Sequence, residues 1–163
     1  MPQHNDPAEQ GGVLRFYYRG WRPTLLGRCS TRVWAWVTGF GLFPDCFVAL
    51  LVRKRQSHKL GAHILVAATY QGQRYLVSML GEGSNWVQDA RATGGAAYIE
   101  RGRKRPVMLT EIPAGQRAPI LKAWCEIATS GRKHLPIAYD APVSAFEAIA
   151  ADYPVFRIDP NAR

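Results

Sequence analysis

The chain alternates short apolar runs with polar, glycine-bearing breaks. Phe47 to Val52 and His63 to Tyr70 are apolar and β-rich, separated by the basic connection RKRQSHKLG. Gln71-Gly72-Gln73 then turns the chain into a further run, Arg74 to Leu80. Such runs, bounded by turn residues, predict strands in hairpin register. Gly81-Glu82-Gly83 breaks the third run. Ser84 is a natural N-cap for a short helix that ends at Thr93-Gly94-Gly95, where glycine can take the left-handed conformation of a C-cap. Ala96 to Glu100 and Pro106 to Ile112 predict a second hairpin around Arg101-Gly102-Arg103-Lys104-Arg105. From Pro113 to Thr129 the period changes to that of an amphipathic helix, with Ile120, Leu121, Trp124, Ile127 and Ala128 on one face. Ser130-Gly131 stops it. Asp140 is placed to cap a last helix, Ala141 to Ala151, and Val155 to Ile158 reads as a closing strand.

Upstream of these elements, Ser30 or Thr31 can cap a short helix from Arg32 to Thr38, with Val33, Trp36, Val37 and Phe40 on one face. The sum is mainly β with peripheral helices (α+β), five or more antiparallel strands that suit a small barrel. Residues 1–30 read as a tail and a basic, aromatic segment, and residues 31–163 as a single barrel domain.

Composition narrows the classes. The formal net charge is +9, and the basic residues cluster at Arg15 to Arg32, at Arg53-Lys54-Arg55 with Lys59, and at Arg101 to Arg105. Clusters of this kind attract phosphates, polyglutamates, nucleic acid or anionic lipid, or simply solvate the surface. The cysteines, Cys29, Cys46 and Cys125, are odd in number and form no CxxC pair, which argues against a disulfide framework or a cysteine zinc site. The opening MPQHNDPAEQGG lacks the pattern of a signal peptide, and no run reaches the ~20 apolar residues of a spanning helix. A cytoplasmic setting is expected. The tryptophans beside Arg28 and Arg32 leave room for peripheral membrane contact through the N-terminal segment.

Conventional catalytic signatures are missing: no GxGxxG opening a βαβ unit, no GxxxxGK[ST], no GxSxG, no HExxH. His4, His58, His63 and His134 are scattered, and Cys125 reads as packing. No metal site is expected and no catalytic side chain can be named. Cofactor chemistry fits this pattern, because the protein then needs only to bind, orient and tune the reactive group. The glycine-broken connection running into a helix start at Ser84 is either an ordinary strand–turn–helix connection or a place to hold an anion.

The stretch YLVSMLGEGSNWV, its short helix and GG break, and the late segment Asp152-Tyr153-Pro154-Val155-Phe156-Arg157 resemble the deazaflavin-dependent nitroreductase family, over about Arg32 to Ile158. The resemblance implies an FMN-binding-protein-like split β-barrel. It also implies an enzyme that uses coenzyme F-420 (8-hydroxy-5-deazaflavin), with FMN as the alternative cofactor. The family's GR[RK]SGxxR-type loop, which holds the phosphate and acidic tail, is matched at Arg55 and Ser57. It is departed from at Lys54, Gln56, His58 and Gly61, with Lys54 and Lys59 able to supply charge from neighbouring positions. Ser78, Met79 and Leu80 would pass beside the ring. Asn85 and Trp86 match the family's NW pair, and Arg91 could meet the phosphate or tail. Asp89 stands where the family often has Asn and is carried over only weakly.

The implied reaction is hydride transfer to a small-molecule electron acceptor such as a quinone, enone or nitro compound; the sequence identifies no proton donor, Tyr139 and solvent being the candidates. Related barrels often pair as homodimers. The alternatives are an FMN-dependent split-barrel reductase and a non-enzymatic basic protein for nucleic acid or anionic lipid. Against nucleic acid, the basic residues form no single run and no RNP-like aromatic strand occurs.

Overall fold

A computed structural model describes Tyr18–Arg19, Arg22–Pro23 and residues 46–160. The expected helix from Arg32 to Thr38 and the membrane-contact segment lie outside the described residues.

Six strands form a closed antiparallel barrel: β1 (Phe47–Arg53), β2 (Leu60–Tyr70), β3 (Gln73–Val77), β4 (Ala96–Arg101), β5 (Arg103–Glu111) and β6 (Val155–Pro160). Around the barrel the order is β1-β2-β3-β6-β5-β4, and β4 closes onto β1 from Ala49↔Glu100 to Val52↔Ala97. The β2–β3 hairpin turns at Gln71 (φ 48°) and Gly72 (φ 74°), the consecutive positive φ values whose twist matches the flanking strands. Among the described residues, three α-helices lie around the barrel: α1 (Asn85–Ala92), α2 (Ala118–Ile127) and α3 (Val143–Glu147).

Alternation along each strand divides the apolar residues between two cores. The inward rows, Val48, Leu50 and Val52 of β1, Leu65 and Ala67 of β2, Leu76, Ala97, Ile99, Val107, Leu109, Phe156 and Ile158, fill the barrel. Helix α1 stoppers one end by adding Trp86, Val87 and Ala90 to that core. The Trp86 ring meets Phe156 edge-on at 5.4 Å. The outward rows of β2 and β3 (Val66, Ala68, Tyr75, Val77) pack against Ile120, Leu121, Trp124 and Cys125 of α2 and Phe146 of α3. Trp124 Nε1 donates to Val66 O at 3.1 Å and fixes α2 on β2. Arg117, buried just before α2, donates to Ile112 O, Ala150 O and Ala151 O and pairs with Glu111. It ties the end of β5 to the segment entering β6.

Some element limits differ from expectation. The third strand ends at Val77 rather than Leu80, because Ser78 N–H bonds Pro154 O and the chain then turns at Gly81 (φ 71°). The helix expected from Pro113 to Thr129 is a 3-10 turn, Ala114–Gln116, followed by α2. Pro119 sits in the first turn of α2, where its missing N–H costs nothing. The last helix is only Val143–Glu147, and Asp140 does not cap it: Pro142 precedes it without a side-chain bond. The C-cap of α1 is as expected, with Gly94 and Gly95 at positive φ and Gly95 N–H bonded to Ala90 O at 2.8 Å.

Candidate functional site

Helix α1 organises the candidate site, and its faces follow from ~100° per residue. Trp86, Val87 and Ala90 point into the barrel. Asn85 and Asp89, four residues apart, share a second face. Arg91 lies nearly opposite that face.

The Asn85–Asp89 face carries the basic loop between β1 and β2. Asp89 is buried, and its Oδ1 accepts the backbone N–H of Arg55 at 3.1 Å. The weakly carried aspartate thus faces a backbone donor of the loop and holds it against the helix. The loop is braced internally: Arg53 donates to His58 O at 2.8 Å, Lys54 N–H to Lys59 O at 2.9 Å, and His58 sits at φ 55°. Arg55, Ser57 and Lys59 are all exposed on it, and Asn85 is exposed on the neighbouring helix face.

The other expected residues are placed differently. Ser84 does not cap α1 through its side chain. Its hydroxyl lies 2.6 Å from Ser78 Oγ, which is itself 2.8 Å from Gly81 O. Ser78 has one proton and gives it to Gly81 O, so Ser84 donates to Ser78. Both serines are buried, Ser78 at 1% exposure, and their hydroxyls hold the turn together. Met79 packs beside Trp124 and Gly131 in the outer core, and Leu80 is half-buried. Trp86 is 5% exposed and belongs to the barrel core.

Arg91 is already paired. It bonds Glu82 at 2.5 and 3.1 Å and Glu111 at 2.6 and 2.8 Å. Both carboxylates hold its guanidinium charged, and the bond from Arg91 holds Glu82 below the usual carboxylate range. Arg91 therefore joins the turn, the helix and β5 rather than the Asn85 face. Tyr139 is half-exposed beneath Arg132, whose guanidinium carbon is 4.0 Å from the ring centroid. Burial pushes the Cys125 thiol up to about 11, which suits a packing residue. No group of His, Cys, Asp or Glu among the described residues could hold a metal ion. No helix among them is long and apolar enough to cross a membrane.

Sequence reasoning missed two features. His63 lines the barrel near Lys54 and Asp89 with Nε2 buried and unpartnered. At the other end, Arg74, Arg101, Arg103 and Arg105 line one cavity. The alternation of arginine at 101, 103 and 105 was the available signal: Arg103 and Arg105 are alternate residues of one strand, and Arg101 pairs with Arg103 across the hairpin.

The chain matches no family model and no curated protein. Solved structures resemble it in fold. The protein Atu2129, of unknown function, from Agrobacterium tumefaciens str. C58 superposes with a TM-score of 0.52 at 10% identity, over 82% of this chain and 54% of that one. This chain thus spans about half the length of the Agrobacterium protein. An FAD-binding protein from Mesorhizobium loti has a TM-score of 0.48 at 16% identity, over 85% of this chain and 91% of that one. An F-420-H2-dependent reductase, FDR-A, has a TM-score of 0.43 at 16% identity, over 71% and 95%. At such identities it is the fold that is shared: a mainly β, FMN-binding-protein-like split barrel with peripheral helices.

Proposed function

We propose that the protein is an F-420-dependent oxidoreductase that passes a hydride to an electron-poor small molecule such as a quinone, enone or nitro compound. The observation that carries this reading is the Asp89–Arg55 bond, which fastens the basic loop to the Asn85 face of α1. The arrangement suits an anionic cofactor with a long charged tail. Arg55 and Lys59 supply exposed cations and Ser57 a hydroxyl, while Asn85 offers an amide on the adjoining face. The first-turn N–H groups of α1 add to the attraction, since no side chain caps them.

Bound there, the deazaflavin would supply the hydride chemistry. The chain's own part is to hold the phosphate and tail and to keep α1 fixed through Trp86 and the Arg91 ion pairs. Asp89 is turned to the loop backbone, so its charge is partly spent on an N–H donor and not aimed at the ligand. Arg91, Ser78, Met79 and Trp86 support the site rather than line it.

Fluorescence titration with F-420 and FMN tests the reading. F-420 should bind at least tenfold more tightly, about 1.4 kcal/mol. Arg55→Ala and Asn85→Ala should each weaken F-420 by roughly 1–3 kcal/mol with little change in the melting temperature of the free protein. Arg91→Ala should lower free-protein stability by under about 1 kcal/mol and leave the affinity alone. FMN binding as tightly as F-420, or Arg91→Ala alone abolishing binding, would sink the proposal.

A further inference from the structure

At the end of the barrel opposite α1 the inward rows change character. On β4 the inward row runs from Ala97 through Ile99 to Arg101. On β5 it runs back from Val107 through Arg105 to Arg103. The register sets Ile99 opposite Arg105 and Arg101 opposite Arg103, with the hairpin turning at Gly102 (φ 70°). On β3 the residue two before the inward Leu76 is Arg74, which completes the ring from the facing wall. These four arginines and Ile99 line a partly open cavity of about 260 Å³.

A second cavity, of about 520 Å³, shares Arg74 and Arg101 with the first and continues over Ala67, Ala123 and Ile127. Glu126 and Thr69 also line it. The cleft is therefore cationic at one end and mixed apolar and polar at the other, where the Glu126 carboxylate disfavours an anion.

Placing Arg101 directly across from Arg103 is an expense in a sheet, since like charges in a cross-strand pair destabilise it. Arg103 and Arg105 are exposed, and neither has an ion pair or hydrogen bond among the described residues. Arg74 and Arg101 already have partners and serve as wall. Two unpaired guanidiniums, alternate on one strand, can each take a phosphate through a pair of parallel N–H bonds. We propose that this mouth binds an organic diphosphate, its phosphates at Arg103 and Arg105 and its organic group over Ala67, Ala123 and Ile127. The site is separate from the Arg55 loop, which lies at the stoppered end. A nucleic-acid strand fits less well: the arginines face into a cavity, and the neighbouring aromatic, Tyr98, is on the outer face with Lys104 Nζ 4.3 Å over its ring.

The test uses the full chain, with inorganic pyrophosphate and ADP as probes in calorimetric titration and thermal unfolding at constant ionic strength. Both probes should bind saturably and raise the melting temperature, as a ligand selective for the folded state must. Orthophosphate should bind at least tenfold more weakly than pyrophosphate. Arg103→Gln/Arg105→Gln should weaken ADP at least tenfold, with no loss of ligand-free melting temperature and unchanged F-420 affinity. Arg55→Gln/Lys59→Gln should bind ADP within twofold of the parent. Three results would overturn the site: no saturable binding of either probe, ADP binding unaffected in the Arg103/Arg105 variant, or equal loss in the Arg55/Lys59 variant. A single-stranded oligonucleotide binding more tightly than ADP at the same salt would also count against it.

Discussion

His63 makes the stability of this barrel depend on pH in a way that can be worked through. It lies on the inward row of β2, opposite Leu50, near the end stoppered by α1. Its Nε2 is buried without a partner. A Cβ at Gly61 would come within 2.7 Å of the Lys54 side chain and 3.5 Å of that nitrogen, so the lysine methylenes and the imidazole edge both border Gly61. Burial pulls the His63 pKa from 6.5 to about 4. The Asp89 carboxylate opposes this shift, and the Lys54 ammonium adds to it.

Above pH 6.5 the ring is neutral in both folded and unfolded chains and stability is unaffected. As pH falls from 6.5 toward 4, the unfolded chain takes a proton that the folded chain refuses, so stability is lost through that window. Below about 4 both states are protonated and the loss is complete. The full shift corresponds to about 3 kcal/mol, of which about 2 kcal/mol is lost by pH 5. Urea unfolding of the parent and of His63→Met, from pH 7.5 to 4.5, isolates the contribution because the carboxylates common to both cancel in the difference. The stability difference should be constant above pH 7 and shift against the parent by about 2 kcal/mol at pH 5. A difference that stays flat across the range would show that the imidazole is not held neutral by its surroundings.

Three further substitutions concern the fold that carries the site. Gly95→Ala should cost at least about 2 kcal/mol in chemical denaturation, because the position has φ 88° and a Cβ there would stand 2.3 Å from Leu109 O. Gly94→Ala, at φ 62° with open space around it, should cost only about 1 kcal/mol. Arg117→Ala should cost about 3–5 kcal/mol, since it strands the carbonyls of Ile112 and Ala150 and leaves Glu111 short of a buried partner. A loss below about 1 kcal/mol, typical of an exposed ion pair, would mean that the tether between β5 and β6 lies elsewhere.

What the sequence alone determined is local. The apolar runs named the strands, and the Gln71-Gly72 turn and the Gly94-Gly95 C-cap are where glycine and its neighbours demanded them. Both are decided by φ preferences and by residues a few positions apart. The resemblance carried by Tyr75 to Gly95 anticipated the barrel.

The candidate site was only half legible. Ser84 has the chemistry of an N-cap, but Ser78 sits close enough to take its hydroxyl, and this competition appears only once the turn is folded. Arg91 reads as a spare cation until β5 brings Glu111, twenty positions along the chain, against it. Asp89 reads as hostile to an anion until the β1–β2 loop presents the N–H of Arg55, thirty-four positions away. The arginines at 101, 103 and 105 announce one face of a hairpin. That this face is the mouth of a barrel, with Arg74 across it, follows from closure of β4 onto β1. Backbone conformation is chosen by short-range sterics, which a sequence displays. The partner of a charge is chosen by register and packing between distant segments, and only the tertiary structure decides that.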